Sequence, residues 1–144
     1  MSLPTTISDC KVISLEQHKT VVGDLVIAGT ARHEPFEAKR VFYIYDIPSG
    51  QSRGAHAHKA CHQLLVAASG AFSVFIDDGE HTAQIELNKP NEGLHIPPGI
   101  WASELNFSGG AICLVLASHE YEECDYLRDY SEFKTWKSQQ SFCP

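Results

Sequence analysis

Short runs of β-branched and aromatic residues, separated by Gly, Pro, Asn and Asp, limit what this chain can fold into more than any other feature. The runs TVVGDLVIAG, VFYIY, AFSVFID and AICLVLA are typical of strands, and DDGE at 77–80 predicts a hairpin. Only the tail reads as a helix, where Asp129 and Glu132 have the spacing of a capping box. Strands at this spacing predict an all-β sandwich or barrel with a short C-terminal helix.

Several of these runs are apolar at every position, whereas a strand with one wet face alternates. VFYIY, LLV and AICLVLA therefore predict strands that are buried on both faces. In a chain of 144 residues, the expected cover for the second face is another copy of the same chain, which predicts a homodimer. The alternative is that the C-terminal helix alone covers these strands.

Charge and cysteine usage exclude several classes of protein. The formal net charge of -7 argues against binding nucleic acid or an anionic membrane. The five cysteines are odd in number and form no Cys-x-x-Cys pair, so a disulfide framework or zinc ribbon is not expected and a cytoplasmic location fits. The length suits one domain over residues 1–144.

The segment GQSRGAHAHKACHQLLVAASG, residues 50–70, carries the strongest chemical signal. His56 and His58 lie two positions apart, so on a strand their side chains share one face. The spacing resembles the first motif of the cupin superfamily, with Gln63 where a glutamate is usual. PPGIWA at 97–102 resembles the second motif, but Ala102 stands where a histidine is usual. Two imidazoles and a neutral amide are a poor ligand set for a divalent ion, so we expect no bound metal.

Without a metal, the two histidines either form a hydrogen-bonded pair in the core or line a ligand pocket. Arg53, Tyr43 and Tyr45 lie near them in the sequence. Burying so many polar groups in a small barrel is costly unless water or a ligand satisfies them. The composition of this region therefore favours a pocket.

Longer motifs make the resemblance more specific. KRVFYIYDIPSGQSRGAHAHKACHQ, LHIPPGIWAS, LVLASHEYEECDYLRDYSEF and the early GDLVIAG together resemble the WxcM-like, FdtA and QdtA family of sugar 3,4-ketoisomerases. The resemblance implies a single-domain cupin jelly-roll barrel and a strand-exchanged homodimer. It also implies a dTDP-linked 4-keto-6-deoxyhexose as substrate, no metal or organic cofactor, and a place in deoxysugar and surface polysaccharide biosynthesis.

Moving a ketone from C4 to C3 of the sugar requires a base beside a carbonyl, and histidine suits that task near neutral pH. We expect His56 to carry the carbon proton, with His58 or Tyr45 acting on the oxygens. Arg53 and Arg40 are expected to bind the diphosphate or the enediolate, because the planar guanidinium suits phosphate. Arg128 is as well explained by a surface role. The other expected substrate-binding residues are Tyr43, Gln63 and Trp101.

Two positions depart from the pattern of relatives. Val22 and Ala102 stand where relatives often carry large polar residues that influence the C4 configuration of the product, so the configuration is left open. Three other functions are also left open: a metal-dependent cupin enzyme, a non-catalytic dTDP-sugar-binding cupin, and a dTDP-sugar 3,5-epimerase.

Overall fold

The computed structural model describes residues 4–29 and 35–141. This part of the chain forms short antiparallel strands and ends in one α-helix. The strands, in chain order, are β1 Lys11–Ser14, β2 Glu16–Thr20, β3 Gly23–Ile27, β4 Arg40–Ile44, β5 Arg53–His58, β6 Gln63–Ser69, β7 Phe72–Asp77, β8 Thr82–Leu87, β9 Glu92–Ile96, β10 Trp101–Leu105, β11 Ile112–Ala117 and β12 Tyr126–Leu127. The helix, α1, is Tyr130–Ser141.

The strands form two five-stranded sheets, which match the predicted jelly-roll class. The first sheet has the order β1-β9-β6-β11-β4, and the second has the order β12-β5-β10-β7-β8. Among the described residues, strands β2 and β3 pair only with each other, as a separate hairpin, and no backbone ladder joins the two sheets. The arrangement is therefore a jelly-roll sandwich and not a closed barrel.

The main core lies between the two sheets. Its buried side chains come from both sheets and include Leu65, Phe72, Leu94 and Val115. Phe72 and Phe107 stack with ring centroids 5.0 Å apart. Burying side chains of this size stabilises the fold by roughly 1.5–3 kcal/mol each, and Ala102 of β10, next to the candidate site, packs against this core.

Strands β6 and β11 of the first sheet are buried on both faces, as their continuous apolar runs predicted, but the same prediction was wrong for VFYIY, because Val41 and Tyr43 on the outer face of edge strand β4 are exposed. On β6, Leu65 points into the main core, while Leu64 and Val66 join an outer cluster with Leu116. Phe36 and Val26 pack on this outer cluster. The chain's own hairpin and the segment after it therefore cover part of the outer face.

The C-terminal helix does not cover that face, so the alternative that it covers these strands alone is wrong. Phe133 of α1 packs against Ala57 and Leu127 on the second sheet. The helix begins after Asp129, whose Oδ1 accepts a hydrogen bond from the backbone N–H of Glu132 at 3.1 Å. This bond is half of the predicted capping box. None of the helices in residues 4–29 and 35–141 has the length and apolar character needed to cross a bilayer.

The predicted hairpin at DDGE is confirmed: β7 and β8 pair from Phe72↔Leu87 to Asp77↔Thr82. One strand prediction was wrong. TVVGDLVIAG reads as a single strand, but the chain turns at Val21 and Val22, and Gly23 begins the return strand with a φ of 133°. The two valines favour a strand locally, but they lie at the exposed tip of the β2–β3 hairpin. The pairing register of β2 with β3 and the backbone conformation of Gly23 therefore place the two valines in a turn, despite their β propensity.

Candidate active site

His56 and His58 project from one face of β5, as their spacing predicted. Ala57, between them, points the other way and packs under α1. The two imidazole rings meet edge to face, with centroids 5.0 Å apart. His56 is half-buried, whereas His58 is 5% exposed. His56 therefore lies nearer the solvent and His58 lies behind it.

The histidine pair lines a small cavity between the two sheets. Ala102 lies opposite His56 across the β5–β10 ladder, and Gln63 of β6 closes another side. The cavity measures about 10 Å³, which is the space of about one water molecule. Its complete lining is Gly54, His56, His58, Cys61, Gln63, Leu65, Ile96, Pro97, Ile100, Ala102 and Glu104.

The turn that precedes β10 is tied to the end of β5. The amide of Gly99 donates to the carbonyl of His58 at 2.8 Å, and Gly99 has a φ of 86°. A side chain is strained at that φ, which accounts for the glycine of the Pro-x-Gly motif. Lys137 of α1 donates to the Gly99 carbonyl at 2.5 Å. The motif thus fixes the wall of the cavity.

Asp125 holds His58 in one orientation. The Nδ1–H of His58 donates to Oδ2 of Asp125 at 2.7 Å, and the Ala60 amide donates to the other carboxylate oxygen at 2.6 Å. With the proton on Nδ1, Nε2 of His58 is an acceptor. Within the described residues this Nε2 is buried and has no hydrogen-bond partner. A buried polar atom left without a partner costs about 1–3 kcal/mol, so a ligand group here would relieve a cost.

Burial controls the pKa values of both imidazoles. For His56, burial, then the neighbouring His58 and the charge of Arg128, lowers the pKa to about 4. Burial also lowers the pKa of His58, although the hydrogen bond to Asp125 opposes the shift. Burial would raise the pKa of Asp125, but the hydrogen bonds from His58 and the Ala60 amide prevail and lower it. Both histidines are therefore neutral at pH 7, and Asp125 is ionised.

Tyr126 packs against both imidazoles. Its ring centroid lies 5.1 Å from that of His56 and 4.4 Å from that of His58. The guanidinium of Arg128 lies over the Tyr126 ring, 4.2 Å from its centroid. Glu123 accepts two hydrogen bonds from Arg128, at 2.7 and 2.9 Å. Arg128 thus supports the histidines through Tyr126, a role beyond the surface position that the sequence suggested.

The two arginines expected to bind substrate lie on strands of different sheets, Arg40 on β4 and Arg53 on β5. Arg40 is half-buried, and its charge contributes to the lowered pKa of His58. Its guanidinium lies 5.3 Å from the Phe42 ring and 5.7 Å from the Tyr121 ring. In the described part of the chain, its Nε is buried without a hydrogen-bond partner. Arg53 is exposed at the start of β5, opposite Glu104.

Besides the two arginines, three of the predicted site residues lie outside the cavity. Tyr43 and Tyr45 are 62% and 60% exposed, and Tyr43 of β4 pairs with Leu114, which belongs to the outer face of the first sheet. Trp101 packs against Phe133 and Tyr130 under α1. Val22 is 93% exposed, far from the buried side of β10 where Ala102 lies. Within one chain, these residues therefore do not meet the histidine pair.

The described residues contain one set of metal-capable donors. The ligand atoms of His58, Cys61 and Asp125 all lie within 4.8 Å of one another. This set excludes His56, and its His58 and Asp125 donors already share a hydrogen bond. The position of Ala102 beside His56 agrees with the loss of a cupin ligand that the sequence indicates.

Sequence reasoning missed three residues of the site: Glu104, Asp125 and Tyr126. Asp125 and Tyr126 lie 67 and 68 positions after His58, and the pairing of Tyr126 with His58, with hydrogen bonds from Lys59 and Ala60 to Asp125, brings them there. Their one sequence signal is the acidic and aromatic run YEECDYLRDY. Glu104 follows Ala102 at the two-residue spacing of one strand face, so the second motif could have pointed to it.

Comparison with known proteins identifies the family of this chain. The model of the family described as FdtA: WxcM-like, C-terminal, matches residues 8–138. A curated relative, the TDP-4-oxo-6-deoxy-alpha-D-glucose-3,4-oxoisomerase of Aneurinibacillus thermoaerophilus, is 39% identical over 126 residues. The match covers 88% of this chain and 91% of the relative.

Solved structures give the same result. A 3,4-ketoisomerase from Helicobacter canadensis is 40% identical, with a TM-score of 0.86 over 90% of this chain and 98% of the other. A mutant of the 3,4-ketoisomerase QdtA from Thermoanaerobacterium thermosaccharolyticum, in complex with TDP-4-keto-6-deoxyglucose, is 30% identical. Its TM-score is 0.88 over 93% of this chain and 97% of the other. The fold, the histidine strand and these matches agree, and the chain belongs to the WxcM-like, C-terminal (FdtA) family.

Proposed function

We propose that this protein is a sugar-nucleotide 3,4-ketoisomerase that acts on a dTDP-linked 4-keto-6-deoxyhexose in deoxysugar biosynthesis. The observation that carries the proposal is the neutral, partly buried histidine pair, one member of which is oriented by Asp125. The named activities of the relatives support the choice of substrate. The cavity itself is too small for a hexose ring, so the sugar would lie at its mouth, against His56.

His56 is the group we propose to move the carbon proton. It is the more accessible of the two histidines, and its pKa of about 4 leaves it unprotonated, and so able to act as a base, at neutral pH. It would take the proton from C3 and return it to C4 of the enediol intermediate. General acid–base catalysis of this kind contributes about 10²–10⁴-fold to a rate.

His58 is the group we propose to orient the sugar oxygens. Its Nε2 accepts a hydrogen bond, which suits a hydroxyl group of the sugar. Tyr45, the other candidate for this task, is exposed and its ring lies 6.0 Å from that of Tyr43, away from the cavity, so the geometry favours His58. Gln63, on the cavity wall, can hydrogen-bond either a hydroxyl or a carbonyl oxygen.

Arg40 and Arg53 are proposed to hold the diphosphate. Arg40 has a buried Nε without a partner among the described residues, and Arg53 is an exposed cation at the start of the histidine strand. Arginine forms paired hydrogen bonds with phosphate oxygens, which fix position as well as charge.

Incubation of the purified protein with dTDP-4-keto-6-deoxyglucose tests the proposed function, with NMR of the product. We expect a 3-keto-6-deoxyhexose, and the same spectrum gives its C4 configuration, which Val22 and Ala102 leave open. Exchange of the protons at C3 and C5 without a shift of the ketone would indicate a 3,5-epimerase instead. Binding of dTDP with neither change would indicate a non-catalytic binder.

We predict that turnover needs no metal. The donor set at the cupin positions is reduced to His56, His58 and Gln63, with Ala102 where another ligand is usual, and a neutral amide binds divalent ions poorly. Turnover should survive exhaustive chelation unchanged. Loss of turnover that one added divalent ion restores would contradict the prediction and would point to the donors His58, Cys61 and Asp125.

We also propose a homodimer, and the outer face of the first sheet supports it. The ladder places Leu116 between Leu64 and Val41, and Leu114 between Val66 and Tyr43. The apolar rows thus continue from the buried cluster to edge strand β4, where Val41 is 59% and Tyr43 62% exposed. A contiguous apolar face that ends on an edge strand suits a second copy of the chain. The separate β2–β3 hairpin is the candidate element for strand exchange between the two copies. We also propose that the dimer is located in the cytoplasm.

Replacing Tyr43 by Glu should shift the mass in light scattering from dimer towards monomer at micromolar concentration, because a charge would be buried in the interface. Thr82→Glu places the same charge on β8, the edge strand of the other sheet, and should leave the mass unchanged. A wild-type protein with the mass of a monomer would contradict the dimer.

A further inference from the structure

Glu104 is a buried carboxyl group inside the candidate site. It is 8% exposed and lines the same cavity as His56 and His58. It lies on the same face of β10 as Ala102, which is the neighbour of His56 on the adjacent strand. The cavity between these groups has room for about one water molecule. This space fits a single small bridging group such as a water molecule.

The backbone of β5 makes room for this carboxyl group. The β5–β10 register shifts between Ala102 and Glu104, so β5 carries an extra residue in the ladder. Gly54 lies in this bulge with a φ of 84°. A Cβ atom at Gly54 would overlap the Oε2 atom of Glu104. The bulge and the missing side chain thus form a recess into which the carboxyl group fits.

The surroundings of Glu104 favour its neutral form. No Lys, Arg or His nitrogen of residues 4–29 and 35–141 forms an ion pair with it. Burial raises its pKa to about 7, although its own backbone amide and the charge of Arg53 oppose the shift. The titratable groups around it are Arg53, His56, His58, Cys61 and Cys113. A carboxylic acid kept neutral by burial can donate a proton near pH 7.

The residues assigned so far to the proposed reaction include no group that can donate a proton to the sugar oxygens. The carbonyl oxygen at C4 must gain a proton while the hydroxyl at C3 loses one. His58 carries its proton on Nδ1, which donates to Asp125, so its Nε2 has no proton to give. His56 is occupied with the carbon proton.

We propose that Glu104 is a second proton-transfer group of this site, which gives a proton to the C4 oxygen and recovers one from the C3 oxygen. The proposal rests on the proposed ketoisomerase function. When His56 removes the C3 proton, the C–H electron pair forms the C3–C4 double bond, and the carbonyl electrons move to O4, which takes a proton that one bridging water molecule relays from Glu104. The enediol then returns its O3 proton to the Glu104 carboxylate through the same water, a C3 carbonyl forms, and C4 takes the proton from His56. Both groups end as they began, so no other reactant is needed.

The test is Glu104→Gln, which keeps the size of the side chain and its place beside Gly54 but cannot transfer a proton. We expect turnover to fall by about 10²-fold, the lower end for general acid–base catalysis, with dTDP affinity and melting temperature nearly unchanged. In the wild type, kcat/KM should fall as pH rises through about 7, because the acid form is required, and the variant should lose this limb. Glu86→Gln makes the same substitution at an exposed position on β8 and should match the wild type.

The outcomes separate the two proposals. Near-normal turnover in Glu104→Gln, or a falling limb that persists in it, would overturn the role of Glu104 and leave the ketoisomerase intact. A loss that appears only in melting temperature or in dTDP affinity would assign Glu104 a structural role and would also overturn it. A wild-type protein that does not isomerise the sugar nucleotide would overturn both proposals.

Discussion

His56→Asn should lower turnover by at least about 10²-fold, the lower end of what a general acid–base group contributes. Asparagine fills similar space and retains a hydrogen-bonding group, so the fold should survive. The affinity for dTDP should barely change, because we assign the histidine to the sugar and the arginines to the diphosphate. Isothermal titration with dTDP and a product assay by NMR measure the two effects separately.

The pH profile gives an independent test of the same residue. His56 must be unprotonated to act as a base, and its pKa is about 4. The rising limb of kcat/KM should therefore lie well below the reference histidine pKa of about 6.5, and His56→Asn should remove it. His81→Asn, at an exposed histidine near the β7–β8 turn, is the matched control and should keep the wild-type profile. A variant at His56 with near-normal turnover would assign the base elsewhere, with His58 the next candidate.

Asp125→Asn should lower turnover by about 10²-fold, because it reverses the tautomer of His58. The Ala60 amide donates to one carboxylate oxygen at 2.6 Å, and His58 donates to the other at 2.7 Å. In the variant, the amide oxygen must face Ala60, so its NH2 group faces Nδ1 of His58. The imidazole then carries its proton on Nε2, which can no longer accept a hydrogen bond from the sugar.

Asp24→Asn removes the same charge from an exposed position on β3 and serves as the control. The tautomer can be read directly from the nitrogen chemical shifts of His58. An Asp125→Asn variant with wild-type turnover would contradict the positioning role, and so would an unchanged proton position on His58.

Much of this fold follows from local sequence signals. Two-sided burial of β6, the β7–β8 hairpin and the cap at Asp129 each depend on neighbours in the chain, and each is confirmed. The valines at 21 and 22 misled the strand prediction because a hairpin tip between two short strands is set by register, not by propensity. The cover of the outer face by Phe36 and Val26 required tertiary contacts that no periodicity reports.

In the candidate site, too, local sequence signals predict some residues, whereas others depend on tertiary contacts. His56, His58 and Gln63 lie on the cavity wall because strand alternation fixes the face on which they lie. Trp101 is one residue out of phase with Ala102, so it turns to α1 and not to the cavity. Asp125 and Tyr126 reach the site because the two-residue strand β12 pairs with β5, and a strand of two residues is too short to recognise from its sequence pattern. The role open to Glu104 depends on burial and on a bulge at Gly54, and neither is visible before the strands are paired.

One measurement bears most directly on the central claim, that His56 carries a carbon proton between C3 and C4 of the sugar. Wild-type protein and His56→Asn are incubated with dTDP-4-keto-6-deoxyglucose in deuterated water, and the sugar is analysed by NMR. We predict that the wild type forms the 3-keto sugar with deuterium at C4, and that the variant forms almost none and leaves C3 of the recovered substrate unlabelled. A variant that forms deuterated 3-keto sugar at the wild-type rate would contradict the claim, as would a wild-type protein that leaves the ketone at C4.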